Sequence, residues 1–208
     1  MTRRYLLKTW HDPRQDVRPS AIHGMGIFAR QPILQGEPVE IIGGDLMTGD
    51  EFRAFQQSVD RFNAVQIGED LHLVERSEFT QQRIGSINHA CDSNLWLADE
   101  VTLVGRRDIA ADEELTIDYA LFSAQSDWVM DGLCRCGSPF CRKTITGNDW
   151  KLKEVQERYR DHFTPFLNVR IARLARKRKL KHELLHSITT ARAAPTMMRL
   201  RQLGNDEA

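Results

Sequence analysis

The chain has 208 residues, 41% hydrophobic and 28% charged, so it has enough apolar residues for a folded core and is not a disordered chain. Its first residues, MTRRYLLKTWHDP, contain no apolar run of signal-peptide length, and no segment approaches the ~18 apolar residues of a membrane span. We therefore expect an intracellular protein without a membrane segment, in the cytoplasm or in the nucleus and on chromatin.

The net charge is zero, but the charges are unevenly distributed along the chain. Residues 170–208 contain ten Lys or Arg and three Asp or Glu, which gives that segment +7 and leaves −7 for residues 1–169. A basic tail on an acidic domain indicates an anionic partner such as nucleic acid, packing on its own domain, or simply a solvated helix face.

Short strands dominate the pattern between residues 20 and 122. Apolar runs bounded by turn residues predict strands at IFAR, EPVEIIGG, AVQIG, LHLVE, LWLA, VTLVGRRDI and ELTIDYAL. In TGDEFRAFQQSV, Thr48 and Glu51 have the spacing of a capping box, which predicts a helix. Many short strands without βαβ alternation predict a mainly β fold and do not indicate a doubly wound nucleotide-binding fold.

The pattern becomes helical after residue 150. KLKEVQERYRDHF, residues 151–163, predicts one helix, and Thr164 followed by Pro165 predicts the N-cap and first position of another. The second helix, FLNVRIARLARKRKLKHELLHSI, repeats apolar residues at helical spacing. The chain thus ends in a basic helical extension whose apolar faces suggest a homodimer.

Three of the four cysteines lie in CRCGSPFC, residues 134–141. A closed structural zinc site takes four ligands, and in a reducing compartment such a cluster favours a metal over disulfides. Cys91 is the only remaining thiol. If it completes the set, the segment around residue 91 folds against residues 134–141.

Polar residues are concentrated in RIGSINHACDSNLWL, where Asn88, His89 and Cys91 stand between apolar flanks. Buried polar groups need partners, so these residues are expected to form hydrogen bonds or bind a ligand. Two other features are weak by themselves: the Gly24-x-Gly26 pair in AIHGMGIFA predicts only a turn, and Tyr119 at the end of DEELTIDYA is ordinarily structural.

The order of four motifs is more specific than any one of them. G-x-G-I-F-A, N-H-x-C-x-x-N, E-E-L-T-x-D-Y and C-x-C-G-x-x-x-C-R together resemble the SET-domain protein lysine methyltransferases with a post-SET zinc segment, over about residues 18–146. The resemblance implies a β-clip of short curved sheets, in which residues 115–119 thread beside Asn88 and His89 as a pseudoknot. It implies a SET domain over 18–122, a post-SET segment over 130–146 and an extension over 150–208. It also implies one Zn²⁺ ion bound by Cys91, Cys134, Cys136 and Cys141.

The implied reaction is methyl transfer from S-adenosyl-L-methionine, leaving S-adenosyl-L-homocysteine, to a lysine of a protein such as a histone. Tyr119 is the implied catalytic residue, and Ile145 or Trp150 would cover the adenine. The residues that the resemblance assigns to cofactor binding are Gly24, Met25, Gly26, Asn88 and His89.

The sequence departs from the family pattern at several positions. The usual N-H-S-C-x-P-N is N-H-A-C-D-S-N here, with Ala90 and Ser93 at the altered places. Ile117 stands where the family often has Phe or Tyr, which implies that multiple methylation is possible. These departures and the basic tail leave an alternative open: a catalytically inactive SET-fold binding module whose tail makes weak, non-specific contact with chromatin or nucleic acid.

Overall fold

A computed structural model of the chain describes residues 5–60, 62–76, 78 and 87–193. The described residues up to Ile171 form one compact unit, and those from Ala172 onward form a second. The strands are β1 (Trp10–His11), β2 (Gln15–Pro19), β3 (Met25–Ala29), β4 (Pro38–Ile41), β5 (Asp45–Met47), β6 (Ala64–Gly68), β7 (Leu71–Val74), β8 (Asn88–His89), β9 (Leu95–Leu97), β10 (Thr102–Gly105) and β11 (Glu114–Ile117). The helices are α1 (Gly49–Ser58), α2 (Lys153–Arg158) and α3 (Pro165–Ala193), with 3₁₀ turns at Tyr119–Leu121 and Asp149–Lys151.

The strands form three small sheets, with the orders β1-β4-β10-β9, β2-β3-β11-β8 and β5-β7-β6. The pairing of β11 with β8 is parallel and sets Thr116 opposite Asn88 and Ile117 opposite His89. This pairing confirms the predicted position of residues 115–119 beside Asn88 and His89. The predicted mainly β fold with a helical C-terminal part is also confirmed.

The hydrophobic core lies between these sheets. Each sheet directs one face inward, because successive side chains of a strand point to opposite sides. Burying a large aliphatic side chain stabilises the folded state by about 1.5–3 kcal/mol. Fully buried side chains contributed by the three sheets include Ile27, Leu73, Leu95, Leu97 and Leu115.

The start of α1 follows the sequence prediction. The Glu51 amide donates to the Thr48 hydroxyl at 3.3 Å, and the Thr48 amide donates to the Glu51 carboxylate at 2.7 Å. The short strands β1 and β2 were not predicted. The residues of β2, QDVRP, are mostly polar, and as an edge strand β2 needs little more than backbone pairing with β3.

The prediction of a single helix over residues 151–163 is wrong. Only α2 forms an α-helix there, because Leu152 is extended and Asp161 has a positive φ of 66°. The third helix begins at Pro165 as predicted, and the Thr164 carbonyl accepts the Asn168 amide at 3.0 Å. The Thr164 hydroxyl, however, has no hydrogen-bond partner among the described residues, so it does not act as the predicted side-chain cap.

The second unit consists of the continuation of α3. Its basic residues at 173, 176–179 and 181 are exposed, as are Leu180, Leu184 and Leu185. Among the described residues, no helix has a stretch both long enough and apolar enough to cross a lipid bilayer.

Candidate active site and cysteine cluster

A cleft of about 570 Å³ lies in the first unit. One wall is the loop His23–Met25, and another contains Ile117 and Tyr119 from the end of β11. Aromatic side chains of Phe122 and Trp128 also line it. Of the residues predicted to bind the cofactor or act in catalysis, Gly24, Met25 and Tyr119 therefore line one cavity.

The two glycines of the G-x-G pair are each favoured over a larger residue, but for different structural reasons. Gly24 has a φ of +48°, which favours glycine, and a Cβ built on it would meet nothing within 4 Å. Gly26 does not line the cleft; a Cβ there would lie 2.3 Å from a Glu114 carboxylate oxygen. The loop thus leaves open space beside Gly24, whereas Gly26 makes room for Glu114.

The Asn88 side chain is buried behind this loop. Its amide nitrogen donates to the His23 carbonyl at 3.0 Å and to Glu114 at 2.8 Å. Glu114 also accepts the Ser20 hydroxyl at 2.8 Å. In this geometry Asn88 fixes the Gly24 loop against β8 and β11.

His89 connects Tyr119 to the cysteine cluster. Its Nδ1 accepts the Tyr119 amide at 3.2 Å, which leaves the proton of the neutral ring on Nε2, 3.3 Å from the Cys91 sulfur. Burial lowers the pKa of His89 to about 4, so the imidazole is neutral at physiological pH. One buried ring thus positions both the backbone at Tyr119 and the thiol of Cys91.

Tyr119 begins a 3₁₀ turn that Asp118 caps by accepting the Ala120 amide at 3.0 Å. Its hydroxyl donates to the Ile87 carbonyl at 3.2 Å, and its ring lies 5.7 Å from Phe122 and 6.2 Å from Trp128 between centroids. Burial raises the pKa of Tyr119 to about 12, so the hydroxyl keeps its proton. The cleft therefore contains a neutral, fixed hydroxyl with aromatic neighbours.

The four cysteines come together as predicted. Their sulfur atoms all lie within 4.8 Å of one another, with Cys91 and Cys134 4.0 Å apart. A tetrahedral zinc with Zn–S bonds of about 2.3 Å sets its sulfur atoms about 3.8 Å apart, so the donor set fits this metal. Burial raises the pKa of the Cys91 and Cys134 thiols, and a bound cation would reverse that effect by stabilising the thiolates.

A buried salt bridge joins the cysteine cluster to the strand end that carries Tyr119. The Arg142 guanidinium donates to both oxygens of Asp118 at 2.7 Å and to Asp149 at 2.8 Å. Asp118 is fully buried. The Arg142 amide also lies 3.3 Å from the Cys91 sulfur, so this residue contacts both parts of the site.

The sequence prediction missed the roles of Arg142, Asp118 and Trp128. Trp128 lines the cleft and also packs against the cysteine cluster, so it forms a shared wall. Ile145 is fully buried against Cys91 and Cys134. Neither Ile145 nor Trp150, suggested as an adenine cover, is among the residues that line the cleft. In the sequence, the position of Arg142 directly after Cys141 was the one feature that could have indicated its role in the site.

Comparison with known proteins agrees with the motif order. The family model for the SET domain matches residues 24–120. The chain is 28% identical over 153 residues to a putative histone-lysine N-methyltransferase of Plasmodium falciparum, covering 68% of this chain and 2% of that protein. It is 28% identical over 163 residues to the histone-lysine N-methyltransferase ATX2 of Arabidopsis thaliana, covering 73% and 14%.

A third relative is of more similar length. The chain is 31% identical over 148 residues to the histone-lysine N-methyltransferase SUVR3 of Arabidopsis thaliana, covering 59% of this chain and 42% of that protein. The chain thus spans less than half the length of each of these relatives. The matched region contains the Gly24 loop, the β8–β11 pairing and Tyr119, and together these observations identify residues 24–120 as a SET domain.

Proposed function

We propose that this chain is an S-adenosyl-L-methionine-dependent protein-lysine N-methyltransferase, with histones among its candidate substrates. The observation that carries the proposal is that Tyr119 lines the same cleft as the Gly24 loop. The relatives named histone-lysine N-methyltransferase support the same reaction.

The methyl donor would occupy the part of the cleft beside His23, Gly24 and Met25. The open space next to Gly24 suits the close approach of a ligand to the backbone. When bound, the cofactor supplies a methyl group on a positively charged sulfur. Asn88 and Glu114 would contribute by fixing the Gly24 loop in position through their hydrogen bonds. The proposed product, S-adenosyl-L-homocysteine, would leave from the same wall.

The substrate lysine must lose its proton before it can act as a nucleophile, because its reference pKa is about 10.4. The aromatic walls formed by Tyr119, Phe122 and Trp128 would lower that pKa by desolvating the ammonium. These residues would thus hold a neutral amine nitrogen facing the methyl group that the bound cofactor would supply.

The Tyr119 hydroxyl would orient the amine. Its proton is engaged by the Ile87 carbonyl, which leaves oxygen lone pairs to accept from the amine. Since alignment of the reacting atoms supplies much of the rate of such a displacement, a fixed hydroxyl is worth more than a mobile one. Ile117, which also lines the cleft, offers no hydroxyl to hold a water against the amine, and we propose that repeated methylation is allowed.

The cysteine cluster would hold one Zn²⁺ through Cys91, Cys134, Cys136 and Cys141. Its role would be structural, since four sulfur ligands leave no open position for chemistry. The bound metal would order residues 134–142 and, through Arg142 and Trp128, the wall next to Tyr119.

The remaining partners are proposals of lower priority. The exposed basic residues of α3 suit weak, non-specific contact with nucleic acid, and the exposed leucines suit a homodimer. We also propose an intracellular location, because the candidate substrates, histones, lie inside the cell. The inactive binding module remains the second hypothesis, and no feature of the described site favours it over the enzyme.

The decisive experiment is transfer of labelled methyl from S-adenosyl-L-methionine to histones and to a whole-cell lysate. Tyr119→Phe should lower the transfer rate by about 100-fold, because it removes the hydroxyl that positions the amine. Tyr5→Phe is the matched control, since Tyr5 does not line the cleft and should leave the rate unchanged. Absence of label from zinc-loaded protein that binds the cofactor would support the binding module instead.

A further inference from the structure

Cys91 has a second set of contacts, which its backbone carbonyl makes rather than its sulfur. The Arg158 guanidinium donates to this carbonyl at 2.8 Å, and the Tyr159 hydroxyl donates to it at 3.2 Å. Arg158 is the last residue of α2, and Tyr159 is the C-cap of that helix. The carbonyl of one cysteine is therefore fixed by a helix that lies outside the region matched by the SET-domain model, residues 24–120.

The Arg158 side chain also contacts the segment that carries the other three cysteines, residues 134–141. The central carbon of its guanidinium lies 4.3 Å from the centroid of the Phe140 ring. Phe140 directly precedes Cys141 in the chain. A guanidinium over an aromatic ring is attracted by the electron-rich face of the ring. One side chain thus contacts both Cys91 and the segment of the other three cysteines.

The position of the Arg158 side chain is fixed from several directions. The side chain is 14% exposed, and its Nε lies 3.7 Å from the Asp92 carboxylate, which also pairs with Arg106 at 2.8 Å. Holding a long cationic side chain in one position costs rotamer entropy, so such a side chain is usually left in solvent. Arg160, two residues later, is exposed in this way. The hydrogen bond, the ring contact and the nearby carboxylate together offset that cost at Arg158.

The four thiols need such a connection because they come from two distant parts of the chain. Cys91 follows β8, whereas the other three cysteines lie more than 40 residues later, in residues 134–141. Ligands from separate segments bind an ion more tightly when the segments are already held together, because less order must be gained on binding. Arg158 connects the two segments without using a sulfur atom, so it can hold them together in the metal-free protein as well.

We propose that Arg158 is a positioning residue of the site, which holds residues 134–141 against Cys91 and so orders the metal ligands. This inference rests on the proposed function and extends the site to α2. Arg158 is not among the residues that line the cleft, so it acts through Phe140 and Cys91 and not on the substrate. Its effect reaches the cleft through Trp128, which packs against the cysteine cluster and lines the cleft.

The first test is the rate at which a chelator removes Zn²⁺ from the full-length protein. Arg158→Met keeps the length and the apolar stem of the side chain and removes the guanidinium. This variant should still bind one zinc ion at saturation but should release it at least about tenfold faster than the parent. Its cobalt(II) form should keep the absorption spectrum of a tetrahedral site, because all four sulfur ligands are retained. A variant with a damaged cluster would lose that spectrum.

Three further variants locate the effect. Arg158→Lys keeps a cation that can donate to the Cys91 carbonyl but loses the plane that lies over the ring, so its release rate should be intermediate. Phe140→Leu should also speed release, and adding Arg158→Met to it should multiply the rate by less than it does in the parent. Arg160→Ala removes an exposed arginine next to α2 and should match the parent. Unfolding curves identify any variant that fails to fold.

A second measurement, amide hydrogen exchange of residues 134–141 in the metal-free protein, separates this inference from the proposed function. Exchange should be faster in Arg158→Met than in the parent or in Arg160→Ala. If Arg158→Met matches Arg160→Ala in exchange, or in zinc release where zinc binds, the positioning role is overturned. Faster exchange in a protein that binds no metal would overturn the proposed zinc site and keep the role of Arg158. Faster zinc release in a protein that transfers no methyl group would overturn only the proposed reaction.

Discussion

The strand-built core and the cysteine lobe, residues 134–147, maintain their structures by different means. The core buries apolar side chains from three sheets, such as Ile27, Leu73 and Leu115. The structure describes every residue of the lobe, and none of them belongs to a strand or a helix. Within the lobe, β-type backbone pairing is limited to an isolated bridge between Thr146 and Val129. Its contacts are instead the four sulfur atoms, the salt bridges of Arg142 and one small apolar cluster in which Ile145 packs against Cys91 and Cys134.

This difference indicates how the site depends on each region. The core supplies Tyr119 and the Gly24 loop, while the lobe supplies contacts to that core. Because the apolar cluster of the lobe is built on the cysteines themselves, the order of the lobe should depend on metal and on charge. The core should survive the loss of either.

The largest expected effect is removal of the metal. Cys134→Ser, or a chelator, should abolish zinc binding and lower methyl transfer by about 100-fold, because Trp128 and Arg142 lose their support beside Tyr119. The core should keep its far-ultraviolet circular dichroism. Metal content by mass spectrometry, measured together with methyl transfer, checks both parts.

Arg135→Ala is the control for this change, since Arg135 lies between two of the cysteines but is exposed and is not one of the ligands. It should retain the metal and the activity. A metal-free protein with unchanged methyl transfer would contradict the proposed dependence of the site on the lobe.

The two regions also differed in how far the sequence predicted them. The cysteine cluster could be predicted because cysteine is rare in this chain and Cys91 was the only thiol left to join the other three. The strand order near Tyr119 followed from motifs. The partner of Arg142 could not be found, because Asp118 lies 24 residues earlier in the chain and only the fold brings the two together. Nor does the alternation of LHLVE show that the ring nitrogens of His72 have no hydrogen-bond partner among the described residues.

The next largest effect concerns the salt bridge that joins the two regions. Arg142→Ala leaves the carboxylate of Asp118 buried without its cation, which should lower the free energy of unfolding by about 3–5 kcal/mol. Arg142→Lys should restore only part of the lost free energy of unfolding, because an ammonium cannot donate in the planar, two-point geometry of a guanidinium. Denaturant unfolding and methyl transfer should be measured on the same samples.

A double variant tests whether Arg142 and Asp118 act as a pair. Adding Asp118→Asn to Arg142→Ala removes the buried charge as well, so it should cost less than the sum of the two single changes. Strict additivity would mean that the two side chains do not act together. If Arg142→Ala unfolds at the same denaturant concentration as the parent, the bridge adds nothing to stability.

The smallest effect lies at Cys91, which belongs to both regions. Its sulfur joins the cluster, while its carbonyl accepts the Tyr159 hydroxyl at 3.2 Å. The same hydroxyl accepts the Ser93 amide at 3.0 Å, a donor that the proline usual at this position would lack. Tyr159→Phe should therefore lower the free energy of unfolding by about 1–2 kcal/mol, by leaving the Ser93 amide and the Cys91 carbonyl with fewer partners.

The backbone amide and the side chain of Ser93 can be tested separately. Ser93→Ala keeps the amide, and Ser93→Pro removes it, so only the proline variant should approach the loss seen in Tyr159→Phe. Zinc content should stay constant in all three variants, because the sulfur of Cys91 is not altered. If zinc is lost along with this hydrogen bond, the carbonyl and the sulfur of Cys91 are coupled, and the core and the lobe are not independent at the residue they share.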